Sequence, residues 1–293
     1  MSGLVTQSTP RRWTIALLGF AICVTPALAQ RKPGQGVNFY SIEKEIALGK
    51  TLAGEMEKQF PVVGDPEIHE YVNRIGRELA SGPDAAPYTY TFTLVRGEIT
   101  GRLAESIFPL RSGKNEWLEP AALPGGFVFI PVRVLQVAES EAQFAGALAH
   151  AIAHIACRHG TRTATRNGIV GLATERLNAK VASTPGKTNM AIPLGFLQFA
   201  RAFEREADSI AVAIMVQAGY DPAELVQFLE RSAPTEAAAS RTALSSASAT
   251  HPAKQARIQA IQQDIQSIPE RGYKPSSEQF ERIKALVARL AEN

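Results

Sequence analysis

The sequence predicts an α+β fold that is mostly α-helical and contains one small β-sheet. Several segments repeat apolar residues at helical spacing, behind residues that favour helix starts. Two shorter segments are instead rich in the aromatic and β-branched residues of strands. The 293 residues are 45% hydrophobic and 20% charged, which allows a sizeable core. We find no internal repeat or clean linker and therefore expect one domain over residues 41–293.

The first 29 residues have the features of a secretory signal peptide. Arg11 and Arg12 form a positive stretch, residues 13–24 are apolar, and residues 27–29 match the A-x-A cleavage pattern. The apolar stretch is too short to span a bilayer, and no later segment approaches the ~20 apolar residues of a membrane helix. We therefore expect an exported protein, located in the periplasm, without a transmembrane helix after cleavage.

The mature chain is nearly neutral. Without the signal peptide, which holds two arginines and no acidic residue, 29 Lys and Arg face 28 Asp and Glu. This balance gives no electrostatic support for nucleic-acid binding. Cys157 is the one cysteine left, so no intramolecular disulfide can form, and a buried apolar role is favoured for it.

The mature chain is predicted to begin with a leader and two helices. Residues 30–40 contain one proline and two glycines and are typical of a flexible leader. Ser41 is suited to cap a helix over residues 41–59. Asp65 and Pro66 mark the start of a second helix, because proline is favoured at the first helical position.

Two strands are predicted next, over residues 88–95 and 127–130. A turn precedes the second strand and consists of Leu123, Pro124, Gly125 and Gly126. A small sheet would lie beside the helix that follows, and an exposed edge could hold an extended peptide through backbone hydrogen bonds. A hairpin that binds nothing is an equally simple interpretation.

The C-terminal part is predicted to be helical. One helix runs from about residue 195 to 218 and is ended by Gly219. Asp221 and Pro222 open the next helix, which continues to about residue 230. Two more helical stretches close the chain, at residues 252–268 and 276–291.

The segment around His150 and His154 carries the clearest chemical signal. It is rich in Ala and Leu, lacks proline and follows Ser140 and Glu141, which predicts a helix. Two histidines four residues apart lie on one helix face, so both imidazoles can reach one metal ion. In the usual H-E-x-x-H motif the second residue is a glutamate that acts as general base. Here that residue is Ala151, so the metal-binding half of the motif is present without the proton-handling half.

A zinc centre needs at least a third protein ligand. Glu204 and Asp208 lie four residues apart on the helix over residues 195–218, so one can bind the metal while the other orients a histidine. A solvated helix flank is the alternative, and such pairs are common on their own.

Three neighbours are expected to have other roles. His159 is nine residues beyond His150 and would face away from it on an ideal helix, which favours a structural role. Arg158 is expected to pair with a carboxylate. Glu206 lies two residues from Glu204 and points to another side of the helix, so we do not expect it to replace the missing base.

Five short motifs occur in one order along residues 41–268. They are Asp65 to Gly76, Leu123 to Gly126, Leu148 to His159, Glu204 to Asp208 with Ala218 to Pro222, and Thr250 to Pro252 with Arg257 and Ile258. In order and spacing the chain resembles the CAAX-prenyl-protease and HtpX-type zinc metallopeptidases (family forty-eight), in the exported soluble branch that includes outer-membrane assembly proteases. The resemblance implies a zincin-like (gluzincin) domain with a small sheet beside the metal helix.

The resemblance also implies residue roles. One Zn²⁺ ion would be held by His150, His154 and Glu204, with Asp208 orienting a ligating histidine. In that branch the histidine of the Thr-His-Pro stretch can approach the zinc, so His251 is a candidate regulatory ligand, with a loop or helix-cap role as the alternative. The possible substrate edge is Leu123, Pro124, Gly125 and Gly126.

The sequence departs from the family pattern at two places. Residues 119–123 read Glu-Pro-Ala-Ala-Leu where the family usually has Asn-Ala-Phe-Ala-Leu, and Pro120 removes a backbone donor from the substrate edge. Ala151 removes the general base, whose assistance is worth roughly 10²–10⁴-fold in rate.

Two functions from different classes therefore remain. The first is a zinc endopeptidase for misfolded or unassembled envelope proteins that is slow or uses an unrecognised base. The second is a catalytically silent relative that keeps zinc and binds polypeptides as a chaperone-like or scaffolding module. A substrate-trapping substitution at residue 151 of an active enzyme is a third interpretation. In each case the partners are polypeptides, nucleic acid is not expected, and peripheral association with the cell envelope stays open.

Overall fold

The computed structural model describes most of the chain between residues 33 and 292. The described ranges are 33–85, 88–97, 118–168, 194–232 and 254–292. They belong to one compact unit. The predicted signal peptide, residues 1–29, and the candidate regulatory ligand His251 lie outside the described residues.

The architecture is mostly helical with one three-stranded sheet, which confirms the predicted mixture. The helices are α1 (Ile42–Gln59), α2 (Pro66–Leu79), α3 (Val132–Val137), α4 (Glu141–Ala156), α5 (159–168), α6 (Leu194–Ala218), α7 (Ala223–Ser232), α8 (Lys254–Gln266) and α9 (Glu278–Glu292). The strands are β1 (Thr91–Val95), β2 (Ala121–Leu123) and β3 (Phe127–Pro131). The sequence pattern does not reveal β2 and α3, because three and six residues carry too little periodicity.

The polar residues predicted to start helices do cap them. Ser41 caps α1. The Asp65 carboxylate accepts a hydrogen bond from the backbone N–H of Glu67 at 2.9 Å, and the Ser140 hydroxyl accepts one from the backbone N–H of Gln143 at 3.1 Å. Each bond satisfies a backbone donor that the first helical turn leaves unpaired. Helices α1, α2 and α4 therefore begin where the sequence predicts.

The sheet has the strand order β1-β3-β2, so β2 forms one edge of it. β1 is parallel to β3, and β2 is antiparallel to β3. The turn between β2 and β3 contains Gly125 and Gly126 with φ values of 79° and 104°, which L-residues rarely adopt. Helix α1 lies directly against this turn, since a side-chain carbon added to Gly49 would come within 1.8 Å of the Pro124 carbonyl oxygen. The sheet is thus held between α1 and α4.

Helix α4 is the centre of the core. All its residues are buried except His154. Its small side chains let neighbours approach closely, and a carbon added to Gly146 would lie 3.2 Å from the Cα of Leu225 on α7. The most extensive packing of α4 is against α6. This packing makes the histidine face of α4 meet the acidic face of α6.

Helix α6 spans 25 residues and is the longest of the described helices. It carries Glu204 and Asp208 one turn apart, with Glu206 between them, and Glu204 and Asp208 are buried. Neither α6 nor any other helix in the described ranges combines the length and apolar character needed to cross a membrane.

The predicted flexible leader is held against the domain where it is described. The Asn38 amide donates to the Thr161 hydroxyl at 2.9 Å, and the backbone N–H of Phe39 donates to the Thr165 hydroxyl at 3.0 Å. Both hydroxyls belong to α5. Residues 38 and 39 of the predicted leader are therefore in contact with α5.

Candidate metal centre

His150 and His154 lie one helical turn apart on α4, and both point to the same side. Their Nε2 atoms are 3.0 Å apart. His150 is only 4% exposed, whereas the side chain of His154 is 21% exposed. The predicted histidine pair is therefore assembled, and its more accessible side is at His154.

Glu204 completes a group of three donors from the facing helix α6. Its Oε2 lies 3.5 Å from Nε2 of His150, and its Oε1 lies 3.6 Å from Nε2 of His154. In a tetrahedral zinc site with bonds of about 2.0–2.1 Å, ligand atoms stand roughly 3.4 Å apart. The three separations, 3.0, 3.5 and 3.6 Å, fit that requirement. These residues are therefore chemically and spatially suited to hold zinc.

Asp208 and Arg257 fix the orientation of His150. Nδ1 of His150 lies 3.0 Å from Oδ1 of Asp208, one turn beyond Glu204 on α6. Arg257 on α8 holds the same carboxylate with two hydrogen bonds, from Nη2 at 2.7 Å and from Nε at 2.9 Å. A proton on Nδ1 leaves Nε2 as the metal-facing nitrogen of His150. Asp208 thus lies beside the histidine for which the sequence suggested a carboxylate partner.

The charged groups buried around His150 carry more negative than positive charge. Glu119, Glu204 and Asp208 are three carboxylates, and Arg257 is the guanidinium among them. Burial would lower the pKa of His150, but Asp208 and Glu204 outweigh it and raise that pKa to about 10. The surroundings therefore favour a cation, and a divalent ion would balance the two remaining negative charges.

Glu119 is a site residue that the sequence did not reveal. Its Oε1 accepts a hydrogen bond from Nη1 of Arg257 at 2.9 Å and lies 3.9 Å from Nε2 of His150. The sequence marked Glu119 only as a departure from the family pattern in the substrate segment. The signal was available in that departure, but its position depends on β2, which was too short to predict.

His159 lies beside His154 because the metal helix ends before it. Cys157 closes α4, and Arg158 has a φ of 58°, which turns the chain into α5. Nδ1 of His159 consequently lies 3.1 Å from Nδ1 of His154. Its Nε2 lies 3.2 Å from Oε2 of Glu206. The premise of a continuous helix therefore does not hold at His159, but its contacts agree with the structural role expected for it.

One assignment of hydrogen-bond donors and acceptors fits all the contacts of His159. If His154 uses Nε2 for the metal, its Nδ1–H donates to Nδ1 of His159, whose Nε2–H then donates to Glu206. Burial lowers the pKa of His159 to about 3, so the ring is neutral, as this arrangement requires. Burial would raise the pKa of Glu206, but His159 and Arg162 lower it to about 2.

Cys157, His159 and Glu206 also have donor atoms within 4.8 Å of one another. Burial raises the pKa of Cys157 to about 12, which keeps it as a thiol. Arg162 donates to Glu206 at 3.1 Å and already supplies a positive charge there. Because both ring nitrogens of His159 have partners, we interpret this group as support for His154 rather than as a second metal site.

We expect His159→Phe to weaken zinc binding about 10–100-fold, the usual cost of losing a partner of a ligating histidine. Phenylalanine keeps the stacking on Phe203, at 4.3 Å between ring centroids, but removes both nitrogens. The measurement is the zinc dissociation constant by competition with a chromophoric chelator. Arg205→Ala, at an exposed position of α6, is the control. Equal zinc affinity in both variants would contradict this role.

Arg158 pairs with a buried carboxylate, as predicted. Its Nε lies 2.9 Å from Oε1 of Glu45 on α1. The hydroxyls of Tyr88 and Thr161 contact the same carboxylate. These bonds join α1 to the end of the metal helix.

The edge strand β2, more than the turn after it, borders the metal site. Residues 124–126 pack against α1, where a carbon added to Gly125 would meet the Cα of Ile46 at 2.6 Å. Of the predicted edge, Leu123, Pro124, Gly125 and Gly126, Leu123 belongs to β2. Ala122, Leu123 and Pro124 line a small cavity, with room for about one water (10 Å³), that also touches His154.

Ala151 follows His150 on α4 and is 1% exposed. Its methyl group is part of the apolar core and offers no proton acceptor. The structure therefore agrees with the sequence: helix α4 supplies no general base at residue 151.

Two imidazoles on one helix and a carboxylate on a facing helix are the ligand set of a class of zinc peptidases. Residues 120–265, which include all three donors, match the family model of Peptidase family M48. This match supports an M48 peptidase domain over that part of the chain.

Relatives with curated names agree with this class. The beta-barrel assembly-enhancing proteases of Yersinia pestis and Escherichia coli K12 are each 25% identical over 203 residues, which cover 65% of this chain and 38% of theirs. The mitochondrial metalloendopeptidase OMA1 of Schizosaccharomyces pombe is 34% identical over 145 residues, 48% of this chain and 42% of its own. The matches thus span less than half of each relative, and they support a metalloprotease-like function.

Proposed function

We propose that this chain is an exported zinc protein of the metalloendopeptidase type that acts on misfolded or unassembled polypeptides of the cell envelope. The observation that carries the proposal is the group of His150, His154 and Glu204, whose donor atoms all lie within 4.8 Å of one another in an M48 domain. The net negative charge around this group supports a divalent ion.

A zinc ion bound there would act as a Lewis acid that polarises a peptide carbonyl and activates water. The protein side chains hold the ion and orient the rings that bind it. Asp208, fixed by Arg257, sets the ring of His150, and His159 sets the ring of His154. Such partners keep ligands in place before substrate arrives, which favours the reaction over the same groups in water.

An extended polypeptide would bind along the outer edge of β2, which ends beside His154. Backbone hydrogen bonds would hold it without strict sequence preference, as suits unfolded clients. Pro120 lacks a backbone N–H, so this edge has one donor fewer than an ordinary strand. We therefore expect weaker peptide binding at the start of β2 than at its end.

The proposed location and clients rest on the sequence and on the names of relatives. The predicted signal peptide supports export to the periplasm, and the resemblance to the HtpX-type soluble branch supports envelope clients. The named relatives are a protease that enhances β-barrel assembly and a mitochondrial metalloendopeptidase. His251 stays a candidate regulatory ligand in this proposal.

A second candidate function is favoured by one observation, the alanine at residue 151. Without a base on α4 the domain would keep zinc and bind polypeptides without cutting them, as a chaperone-like or scaffolding module. This candidate shares the zinc site and the β2 edge with the first. The two differ only in whether a peptide bond is broken.

The test is cleavage of β-casein, an unfolded polypeptide, by the zinc-loaded mature protein. We expect slow cleavage that a chelator stops. We expect Ala151→Glu to cleave at least as fast as the parent, because it places a carboxylate that can act as general base next to His150. Ala151→Gln is the matched control, with similar size and no basic oxygen. If the parent and both variants bind zinc and none of them cuts β-casein, the endopeptidase proposal fails and the silent module is supported.

A further inference from the structure

Glu119 occupies the metal-facing side of the site although it comes from outside the metal helix. It directly precedes Pro120 and the edge strand β2, and its side chain is 10% exposed. Nδ1 of His150 faces Asp208, so Nε2 is the metal-facing nitrogen. Oε1 of Glu119 lies 3.9 Å from that nitrogen. The carboxylate therefore borders the place where chemistry would occur.

The carboxylate is next to the ligand group but does not belong to it. The donor atoms of His150, His154 and Glu204 lie within 4.8 Å of one another, and this group, drawn from the described residues, does not include Glu119. Arg257 holds Oε1 of Glu119 at 2.9 Å and thereby fixes the side chain at the rim of the group. A fixed carboxylate beside a ligand set is in the place of a proton acceptor rather than of a ligand.

Other carboxylates around α4 have different tasks in the described part of the chain. Glu204 is a ligand candidate, and Asp208 orients His150. Glu206 accepts from His159 on the far side of the ligand pair. Glu141, at the first turn of α4, accepts hydrogen bonds from two tyrosines at 3.0 and 3.2 Å. Glu119 lies on the metal-facing side of His150 and is held there by Arg257.

The two departures from the family pattern meet at this site. Residue 151 is an alanine where the family pattern has a glutamate, and residue 119 is a glutamate where that pattern has an asparagine. Both positions adjoin His150, one along the helix and one across from it. The count of acidic groups around the ligands is therefore the same as in a site with glutamate at residue 151. Glu119, which precedes β2, therefore supplies a carboxylate near His150 that helix α4 lacks at residue 151.

We propose that Glu119 is the proton-accepting carboxylate of this centre, in place of the glutamate that usually follows the first histidine. The proposal rests on the endopeptidase function proposed above. Glu119 takes the proton that water loses as its oxygen bonds to the carbonyl carbon, and passes it to the amide nitrogen as the C–N bond breaks. The products are a carboxylic acid and an amine, and no further reactant is needed.

A binding experiment tests Glu119 without relying on turnover. Acetohydroxamic acid gives up a proton when it binds zinc as the hydroxamate, and a nearby carboxylate can take that proton. We expect Glu119→Gln to bind acetohydroxamate at least about tenfold more weakly than the parent, with zinc affinity unchanged within about threefold. Glu139→Gln is the matched control, since Glu139 forms an exposed pair with Arg231 away from the site. Equal hydroxamate binding by Glu119→Gln and parent would overturn the proposal, and so would loss of zinc from Glu119→Gln.

Cleavage of β-casein separates this proposal from the proposed function. We expect Glu119→Gln to lose roughly 10²–10⁴-fold in rate, and Glu119→Gln with Ala151→Glu to regain it. If the parent cleaves and Glu119→Gln cleaves equally fast, the endopeptidase function stands and the role of Glu119 is refuted. If hydroxamate binding depends on Glu119 but the parent cuts nothing, the proton-accepting position stands and the endopeptidase function fails.

Discussion

Replacement of His150 by alanine is expected to abolish zinc binding and the stability that zinc confers. Loss of a ligand should weaken zinc binding by more than the ~10–100-fold that outer partners contribute. At a free zinc concentration of about 100 times the dissociation constant, bound metal adds about 2.7 kcal/mol to the free energy of unfolding. For a domain of this size that corresponds to a rise of about 5–10 °C in Tm. The measurement is Tm with zinc and with chelator.

His69→Ala is the control for His150→Ala. His69 lies on α2 and is exposed, as the sequence predicts, so it should leave the zinc-dependent shift unchanged. Glu204→Gln keeps the side-chain volume and separates loss of a ligand from loss of packing. We expect it to lose the zinc-dependent shift as His150→Ala does. A folded His150→Ala protein that still gains the full 5–10 °C from zinc would refute the ligand assignment.

The grouping of His150, His154 and Glu204 was predictable because it depends on local periodicity. His150 and His154 are four residues apart, as are Glu204 and Asp208, and that spacing places side chains on one helix face in any α-helix. The spacing alone does not show that α4 packs against α6. The small residues of α4 made that packing close, and they were visible in the sequence as an Ala-rich run.

The residues that contact the candidate ligands were less predictable. Their positions depend on where the chain turns and on segments that are distant in sequence. His159 reaches His154 only because Arg158 takes a positive φ, and no residue-spacing rule for a continuous helix allows for that break. Glu119 depends on a three-residue strand. Arg257 stands 49 residues after Asp208, on another helix, and its double hydrogen bond is a purely tertiary contact. Sequence motifs marked Arg257 but did not give its task.

Arg257→Met is expected to be the most destabilising substitution when zinc is absent. The guanidinium is 2% exposed and contacts the carboxylates of Glu119, Glu204 and Asp208. Removal of one partner from a buried charged group leaves its charges uncompensated and costs about 3–5 kcal/mol. We expect a loss of this size in urea unfolding with chelator present. Arg231→Met, at an exposed pair with Glu139, should cost less than about 1 kcal/mol.

Zinc and Glu119 should both reduce the cost of Arg257→Met if charge is the cause. A divalent ion supplies part of the missing positive charge, so we expect the variant to gain more stability from zinc than the parent gains. Glu119→Gln removes one of the stranded negative charges, so the double variant should be less destabilised than the sum of the single variants. Additive effects of the two substitutions, together with an equal gain from zinc in parent and variant, would mean that Arg257 acts through packing. In that case the charge balance would no longer support a divalent ion at this site.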